Sequence, residues 1–379
     1  MGTAPKRAAE KILIVGAGLG GLSLALSLKR GGFIVDIVEI EPELRIVGAG
    51  ITLNGASLRA FATMGVLDEI KRQGHCHDTG KMCDGNGNLL YAPRSERQYG
   101  PDIPNGAGIL RPVLHRILGD AVVAAGVPIR FSTTVETLTQ HASHVDVVLR
   151  NGEHGRYDLV VGADGLSSVI RAMIFPDAPK PRFTGQGCWR AVLPRPPEIE
   201  GSCSFHARYH KAGVNPISQD EMYLYLLQHV PDNRWMPPEQ WPTLLAAELS
   251  EFGGLIGEIR GGLGPSSRIN YRPLESLLLK SPWYQGRVLL IGDAAHATTP
   301  HVGYGAGLAV EDGIVLTELL QDEEELDQAL ARFMGRRYER CRLVVEGSAR
   351  LGELEMQQAG TDIHRRTFMD IFDVIRQPI

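Results

Sequence analysis

The chain has 379 residues, 43% of them hydrophobic and 22% charged, a composition that fits one large or two ordinary globular domains with a sizeable core. Its 39 Lys and Arg against 44 Asp and Glu leave a net charge of -5, so no broad basic field exists to hold a polyanion, and nucleic acid is excluded as an expected partner. Five scattered cysteines, an odd number, form no disulfide framework and point to a reducing cytoplasm.

Near the N-terminus, basic Lys6, Arg7 and Lys11 precede the apolar run ILIVGAGLGGLSLALSL, which superficially matches a signal peptide. Gly16, Gly18, Gly20 and Gly21 break that run into a β-branched stretch and a helical one. No run reaches the ~18 apolar residues of a membrane span, so no integral membrane association is expected. Lys6 also stands where a myristoylation signal has Ser or Thr.

Residues 11–40 read as strand, helix and strand, the βαβ unit of a parallel sheet. Asp158–Ala163 and Arg287–Ile291 are further apolar strands, each running into a turn of Gly and Asp, and are expected in the same sheet. Residues 181–285 hold 12 of the 23 prolines among β-patterned runs such as CWRAVL, CSFHARYH and MYLYLLQHV, which predicts a separate antiparallel sheet. From Val310 onward the pattern is helical. Acids at 322–325 are followed by Leu326, Leu330, Phe333 and Met334, with Arg332, Arg336, Arg337 and Arg340 between them reading as a solvated helix face.

Gly16-Ala-Gly18-Leu-Gly20-Gly21 satisfies G-x-G-x-x-G in its proper setting, after a strand and at a helix start. The glycines allow a tight turn and a close approach by a pyrophosphate, whose charge the helix N-terminus stabilises. Glu39, 18 residues beyond Gly21, is placed to bond ribose hydroxyls. This is a dinucleotide site.

Two further stretches, GADGLSSVIR at 162–171 and GRVLLIGDAAHATTPHVGYGAGLAVED at 286–312, resemble the single-component flavoprotein aromatic hydroxylases, the family of p-hydroxybenzoate, salicylate and urate hydroxylases. Arg45 with GAGI at 48–51, including Gly50, and the Arg111-Pro-Val-Leu helix start complete a resemblance that spans nearly the whole chain. It implies an α/β architecture: a Rossmann-like FAD-binding domain (1–77, 101–180 and 286–379) interleaved with an antiparallel-sheet substrate domain (78–100 and 181–285), followed by C-terminal helices. It implies a bound FAD, a transient NADH or NADPH, molecular oxygen, and hydroxylation of an aromatic or N-heteroaromatic small molecule through a flavin C4a-hydroperoxide. A monomer or homodimer in the cytoplasm is expected.

By the same resemblance Asp293 bonds the ribityl chain, Arg45 and Arg111 contact the flavin region and pyrophosphate, and Pro300 with Gly303, Gly305 and Ala306 lines the ring. Asp164 in the second turn touches FAD, although its position also suits a cap for the helix that follows. His296 in GDAAH is expected to be a hydrogen-bonded structural group rather than a base. Two departures from the family pattern stand out. Tyr304 and Gly307 replace the usual Gln and Asn of the flavin loop, and Asn54-Gly55-Ala56 replaces the usual Pro-Asn after GAGI-x-L. Both alter any side-chain contacts made there.

On the substrate side, Tyr223 and Tyr225 share one strand face at period two. Tyr225 and Lys211 resemble the substrate-contacting Tyr and an important Arg of the urate hydroxylase branch. Arg190, His206, Arg208 and His210 add donors for a carboxylate or phenolate. No second glycine-rich unit is present for a nicotinamide nucleotide. His75-Cys76-His77-Asp78 with Cys83 matches no standard zinc spacing, so no metal is expected. Two other readings stay open: a flavin-binding electron-transfer or assembly protein without hydroxylation, and an epoxidase or oxidase of a non-aromatic polyketide or isoprenoid.

Overall fold

A computed structural model describes residues 7–44, 48–92, 96–208, 210–233 and 235–379, with the backbone alone described for Thr361. The βαβ reading holds: strand Lys11–Val15, helix Leu19–Arg30 and strand Ile34–Val38, with the two strands parallel and Leu13 opposite Asp36. Leu159–Gly162 pairs parallel to the other side of the first strand, and Val288–Leu290 pairs parallel to it in turn. The full six-stranded order is Tyr284–Gln285, Val288–Leu290, Leu159–Gly162, Lys11–Val15, Ile34–Val38 and Ile129–Arg130. Its three central strands are almost wholly buried, as expected where helices cover both faces.

The proline-rich segment forms most of a seven-stranded sheet, ordered Arg268–Ser276, Arg182–Pro194, Glu221–His229, Lys211–Pro216, Ser202–His206, Gly80–Asp84 and Leu89–Tyr91. All neighbours are antiparallel except Ser202–His206 beside Gly80–Asp84, which run parallel. One face of this sheet presents Trp189, Ala191, Phe205, Leu224 and Leu226 to helices Trp241–Glu248 and Gly254–Gly262, making a second core. Alternation along the strands sends Arg190, Tyr223, Tyr225 and Lys211 to the opposite face. A third sheet of Gly50–Asn54, Gly106–Leu110 and His75–His77 lies against that face, with Tyr223 Oη 2.5 Å from Thr52 Oγ1.

The solvated-face reading of the late arginines is only half right. Arg332 and Arg336 are exposed, but in the long helix Leu326–Met356 Arg337 is fully buried and Arg340 nearly so. Arg337 donates to Asp312 Oδ1 and Glu311 Oε2, both at 2.8 Å, and Arg340 donates to both oxygens of Glu311. Glu311 and Asp312 sit mid-way along helix Gly305–Asp322, which packs against this one, so the apolar stripe includes charged positions paired across the interface. His296 completes the cluster, its Nε2 2.6 Å from Asp312 Oδ2, and is the structural hydrogen-bonded histidine expected. Burial alone would raise the Asp312 carboxyl, but His296 and Arg337 hold it below its usual value.

Removing Arg337 takes one charged partner from each of two buried carboxylates, leaving Glu311 with Arg340 and Asp312 with His296. Arg337→Ala is expected to cost about 3–5 kcal/mol, measured by urea denaturation; a cost under about 1 kcal/mol would show the network to be dispensable.

Candidate active site

The glycine-rich turn is built by exclusion. Gly16 has a φ of +104°, and a Cβ there would lie 2.6 Å from the Ala163 carbonyl oxygen, so the first turn abuts the second at Ala163–Asp164. A Cβ on Gly21 would overlap the Gly16 carbonyl, and one on Gly20 would come within 3.1 Å of Ala309 Cβ. These two positions set the packing of turn and helices. Gly18 has no atom within 4 Å of its Cβ position, and the helix it starts carries no side-chain cap. Its first amides have no side-chain cap, and the space beside Gly18 is open, which suits an anion.

Glu39 lies at the end of the next strand, where Oε2 accepts from Ala17 N at 2.6 Å and Oε1 from Glu41 N at 3.0 Å. Each oxygen keeps a lone pair for a ribose hydroxyl. His115, from helix Arg111–Ala124, bonds the Ala17 carbonyl at 2.5 Å, and Arg111 N bonds Ala49 O at 3.1 Å, which brings Arg111 beside Gly48 and Gly50. Asp293 is solvent-accessible, yet burial among protein atoms pushes its carboxyl upward, offset by His296 and Arg111. A group both accessible and crowded by protein atoms lies in a concavity of the surface. Arg45 lies outside the described residues.

Asp164 is a helix cap. It accepts from Ser168 Oγ at 2.6 Å, Val169 N at 2.7 Å and Ile170 N at 3.1 Å, while Ser168 caps Arg171 N. The 300–306 loop turns through a Gly303 N to Pro300 O bond of 3.0 Å, with Gly303 exposed at a φ of +66°. Gly305 and Ala306 start an uncapped helix and remain part-exposed.

The two departures from the family pattern have local explanations. Tyr304 turns away from the cleft: it is fully buried, donates to Glu311 Oε1 at 2.6 Å, and its ring fills the space beside Gly307. A Cβ on Gly307 would overlap that ring and come 2.7 Å from Ser57 Oγ, so Tyr304 and Gly307 form a matched pair. Asn54 caps helix Gly55–Thr63 through Ser57 N at 3.0 Å, and a Cβ on Gly55 would sit 2.8 Å from the Tyr99 ring.

The substrate-side residues divide. Tyr225 lies opposite Gly213, whose missing side chain makes room for its ring, and packs 6.2 Å from Tyr223. Its hydroxyl makes no hydrogen bond among the described residues, nor does the Arg190 guanidinium, directly across the ladder from it. Burial raises the Tyr225 hydroxyl, and that of Tyr223 to about 12, so both stay protonated. Lys211 is on the same face and bonds Glu355 at 3.4 Å. His206 joins them, pushed down to about 4 by burial and by Lys211.

His210 does not belong to this group. It lies one residue before Lys211 and faces the other side, held by Glu251 at 2.5 Å and Glu248 at 3.2 Å. Arg208 is exposed. The sequence reading missed Glu355, His301, Thr52 and the Glu311–Arg340 network. The signal for the network was there, in two adjacent acids inside the apolar run GAGLAVEDGIVL.

Two outcomes test these placements. Gly307→Asn alone is expected to cost about 1–3 kcal/mol from overpacking. Combined with Tyr304→Gln it should cost less than the sum of the single changes by about 1 kcal/mol or more in denaturation, whereas strict additivity would refute the pairing. His210 has its pKa raised by Glu248, against burial, with Glu251 adding to the effect. Its stabilisation is therefore full below about pH 6.5 and lost as pH rises through the raised value. The stability difference between wild type and His210→Gln should thus be larger at pH 6 than at pH 9; an equal difference would break the assignment.

Residues 9–346 match the family model described as FAD binding domain. The putative FAD-dependent monooxygenase YetM of Bacillus subtilis is 32% identical over 359 residues, 94% of either chain. The 2-heptyl-3-hydroxy-4(1H)-quinolone synthase of Pseudomonas aeruginosa is 33% identical over 315 residues, covering 81% of this chain and 80% of that one. The crystal structure of Klebsiella pneumoniae HpxO complexed with FAD and uric acid superposes with a TM-score of 0.86 at 21% identity over 97% of both chains, a likeness of fold. With the cleft, the uncapped helix starts and Asp293 in place, the chain belongs to the FAD binding domain family and is an FAD-dependent monooxygenase.

Proposed function

We propose that the protein hydroxylates an aromatic or N-heteroaromatic ring bound between the flavin and the inner face of the seven-stranded sheet. The observation that carries this reading is the pair Tyr225 and Arg190. Among the described residues of that face these two side chains carry donors with no protein acceptor, and Asn215, opposite Tyr223, likewise has an unpartnered Oδ1. The quinolone in the name of the Pseudomonas relative supports a heteroaromatic ring.

Bound FAD supplies oxygen activation, after reduction by NADH or NADPH. The chain's own residues do the rest. The Gly18 and Gly305 helix starts take the pyrophosphate and the edge of the flavin, Glu39 the adenosine ribose, and Asp293 the ribityl hydroxyls. Arg111 stands beside Asp293 and balances phosphate charge. Pro300, Gly303 and Ala306 border the ring, and Gly50 leaves room beside Tyr223. Arg190 stabilises a ring phenolate, which raises the electron density that hydroxylation requires, while Tyr225 donates to a second ring heteroatom. The apolar wall of Val192, Leu110 and Tyr223 excludes water. Among the described residues no helix is long and apolar enough to cross a membrane, and the five cysteines are free thiols, which suits a cytoplasmic enzyme.

NAD(P)H oxidation and oxygen uptake should rise on adding a hydroxyquinoline or hydroxypyridine from a ring-compound panel, with hydroxylated product. Tyr225→Phe should lower the coupling of oxidation to product, and Arg190→Gln should raise KM about 10-fold or more, the loss of one charged hydrogen bond. Full coupling in Tyr225→Phe would remove that residue from the site. Bound flavin without any ring-stimulated oxidation would return the protein to an electron-transfer or assembly role.

A further inference from the structure

Glu355 lies in the last turn of the helix Leu326–Met356, where the helix dipole disfavours an acid and no basic residue of the same turn compensates. It is nonetheless largely buried and meets three partners from three separate segments. Lys211 Nζ is 3.4 Å and His364 Nε2 3.1 Å from Oε1, and His301 Nε2 is 3.4 Å from Oε2. His301 directly follows Pro300, and its ring is fixed by Thr299 Oγ1 at 2.9 Å, which in turn bonds Ser348. Lys211 belongs to the ring-binding face through its register with Tyr225: Lys211 opposes Leu227 and Gly213 opposes Tyr225. Burial would raise the Glu355 carboxyl, but Lys211, His301 and His364 hold it well below the usual carboxylate range, so it is charged at every working pH.

The pairing fixes the charge of the face. Lys211 is neutralised, His206 is uncharged near neutrality, and Arg272 on the edge strand is exposed to solvent. Among the described residues of the face, Arg190 is then the enclosed cation without an acidic partner.

We infer that Glu355 is a specificity-determining positioning residue. By holding Lys211 in an internal ion pair, it limits the face to one anionic oxygen, taken by Arg190, and selects hydroxylated rings without a carboxylate over ring carboxylates. The inference rests on the ring-binding reading above. A second ring anion would enter beside a fixed carboxylate and find no free cation to pair with.

The test is binding to the FAD-loaded full chain, read from the perturbation of flavin absorbance. The probes are two matched pairs: 4-hydroxyquinoline with its 2-carboxylate, and 3-hydroxybenzamide with 3-hydroxybenzoate. Wild type is expected to bind the carboxylate-free member about 10-fold or more tightly. Glu355→Gln releases Lys211 and should shift the ratio about 10-fold or more toward the carboxylate, Glu355→Asp should keep the wild-type ratio, and Lys211→Met should widen it. The Lys211→Met measurement stands even if Glu355→Gln fails to fold. A wild-type preference for the carboxylates, or a ratio unchanged in both Glu355→Gln and Lys211→Met, overturns the proposal. If no member of either pair perturbs the flavin, the ring-binding reading itself falls, and this inference falls with it.

Discussion

Five ionisable groups with little or no solvent access meet where helices Gly305–Asp322 and Leu326–Met356 cross, and the cleft takes its shape from their need to be paired. Glu311 and Asp312 cannot stay charged in that interior without Arg337, Arg340 and His296, and each of these has few alternative positions that keep it bonded. Three contacts carry the constraint outward. Asp312 accepts from Gly292 N at 2.9 Å and fixes the turn before Asp293. Glu311 accepts from Tyr304 and fixes the loop after Pro300. Arg340 donates to the carbonyls of Val374 and Ile375 and pins the last helix, Thr361–Arg376. A cluster with no direct place in the proposed chemistry thus positions two parts of the site and the last helix.

The seven-stranded sheet shows the opposite use of polarity. Its helix-covered face is apolar, and on that side His210 is held between two glutamates. On the inner face polar groups divide into those held by protein and those left open. Thr52 satisfies the Tyr223 hydroxyl and Glu355 satisfies Lys211, while Tyr225 and Arg190 are left without acceptors. Donors enclosed by protein normally find acceptors, so an open pair on a partly enclosed face supports the proposed ring site.

The parts of the fold and cleft legible in the sequence were those set by short-range rules. The βαβ unit, the glycine turn with Glu39, and the capping role of Asp164 depend on neighbours close in the chain or on a strand-to-helix step that recurs with fixed spacing. The period-two reading that put Tyr223 and Tyr225 on one face needed only strand geometry. What failed was long-range pairing. Arg337 and Arg340 have the spacing of a solvated face, and only their partners on another helix make them core residues. His210 and Lys211 are adjacent in sequence, yet strand alternation sends them to opposite sides. Glu355 could not be read at all, because its three partners are 144, 54 and 9 residues away.

The strand order has a consequence for how the protein comes to life on the ribosome. Val288–Leu290 docks on Leu159–Gly162, and with it come the Gly292 turn and Asp293, so the parallel sheet cannot be finished until about three quarters of the chain has emerged. The arginines that hold that turn in place follow some 45 residues later. Early translation therefore yields a half-built nucleotide fold beside a proline-rich sheet that can close on its own ladder. The residues assigned to the coenzyme are therefore complete only late in synthesis, and the arginine that braces the Gly292 turn later still.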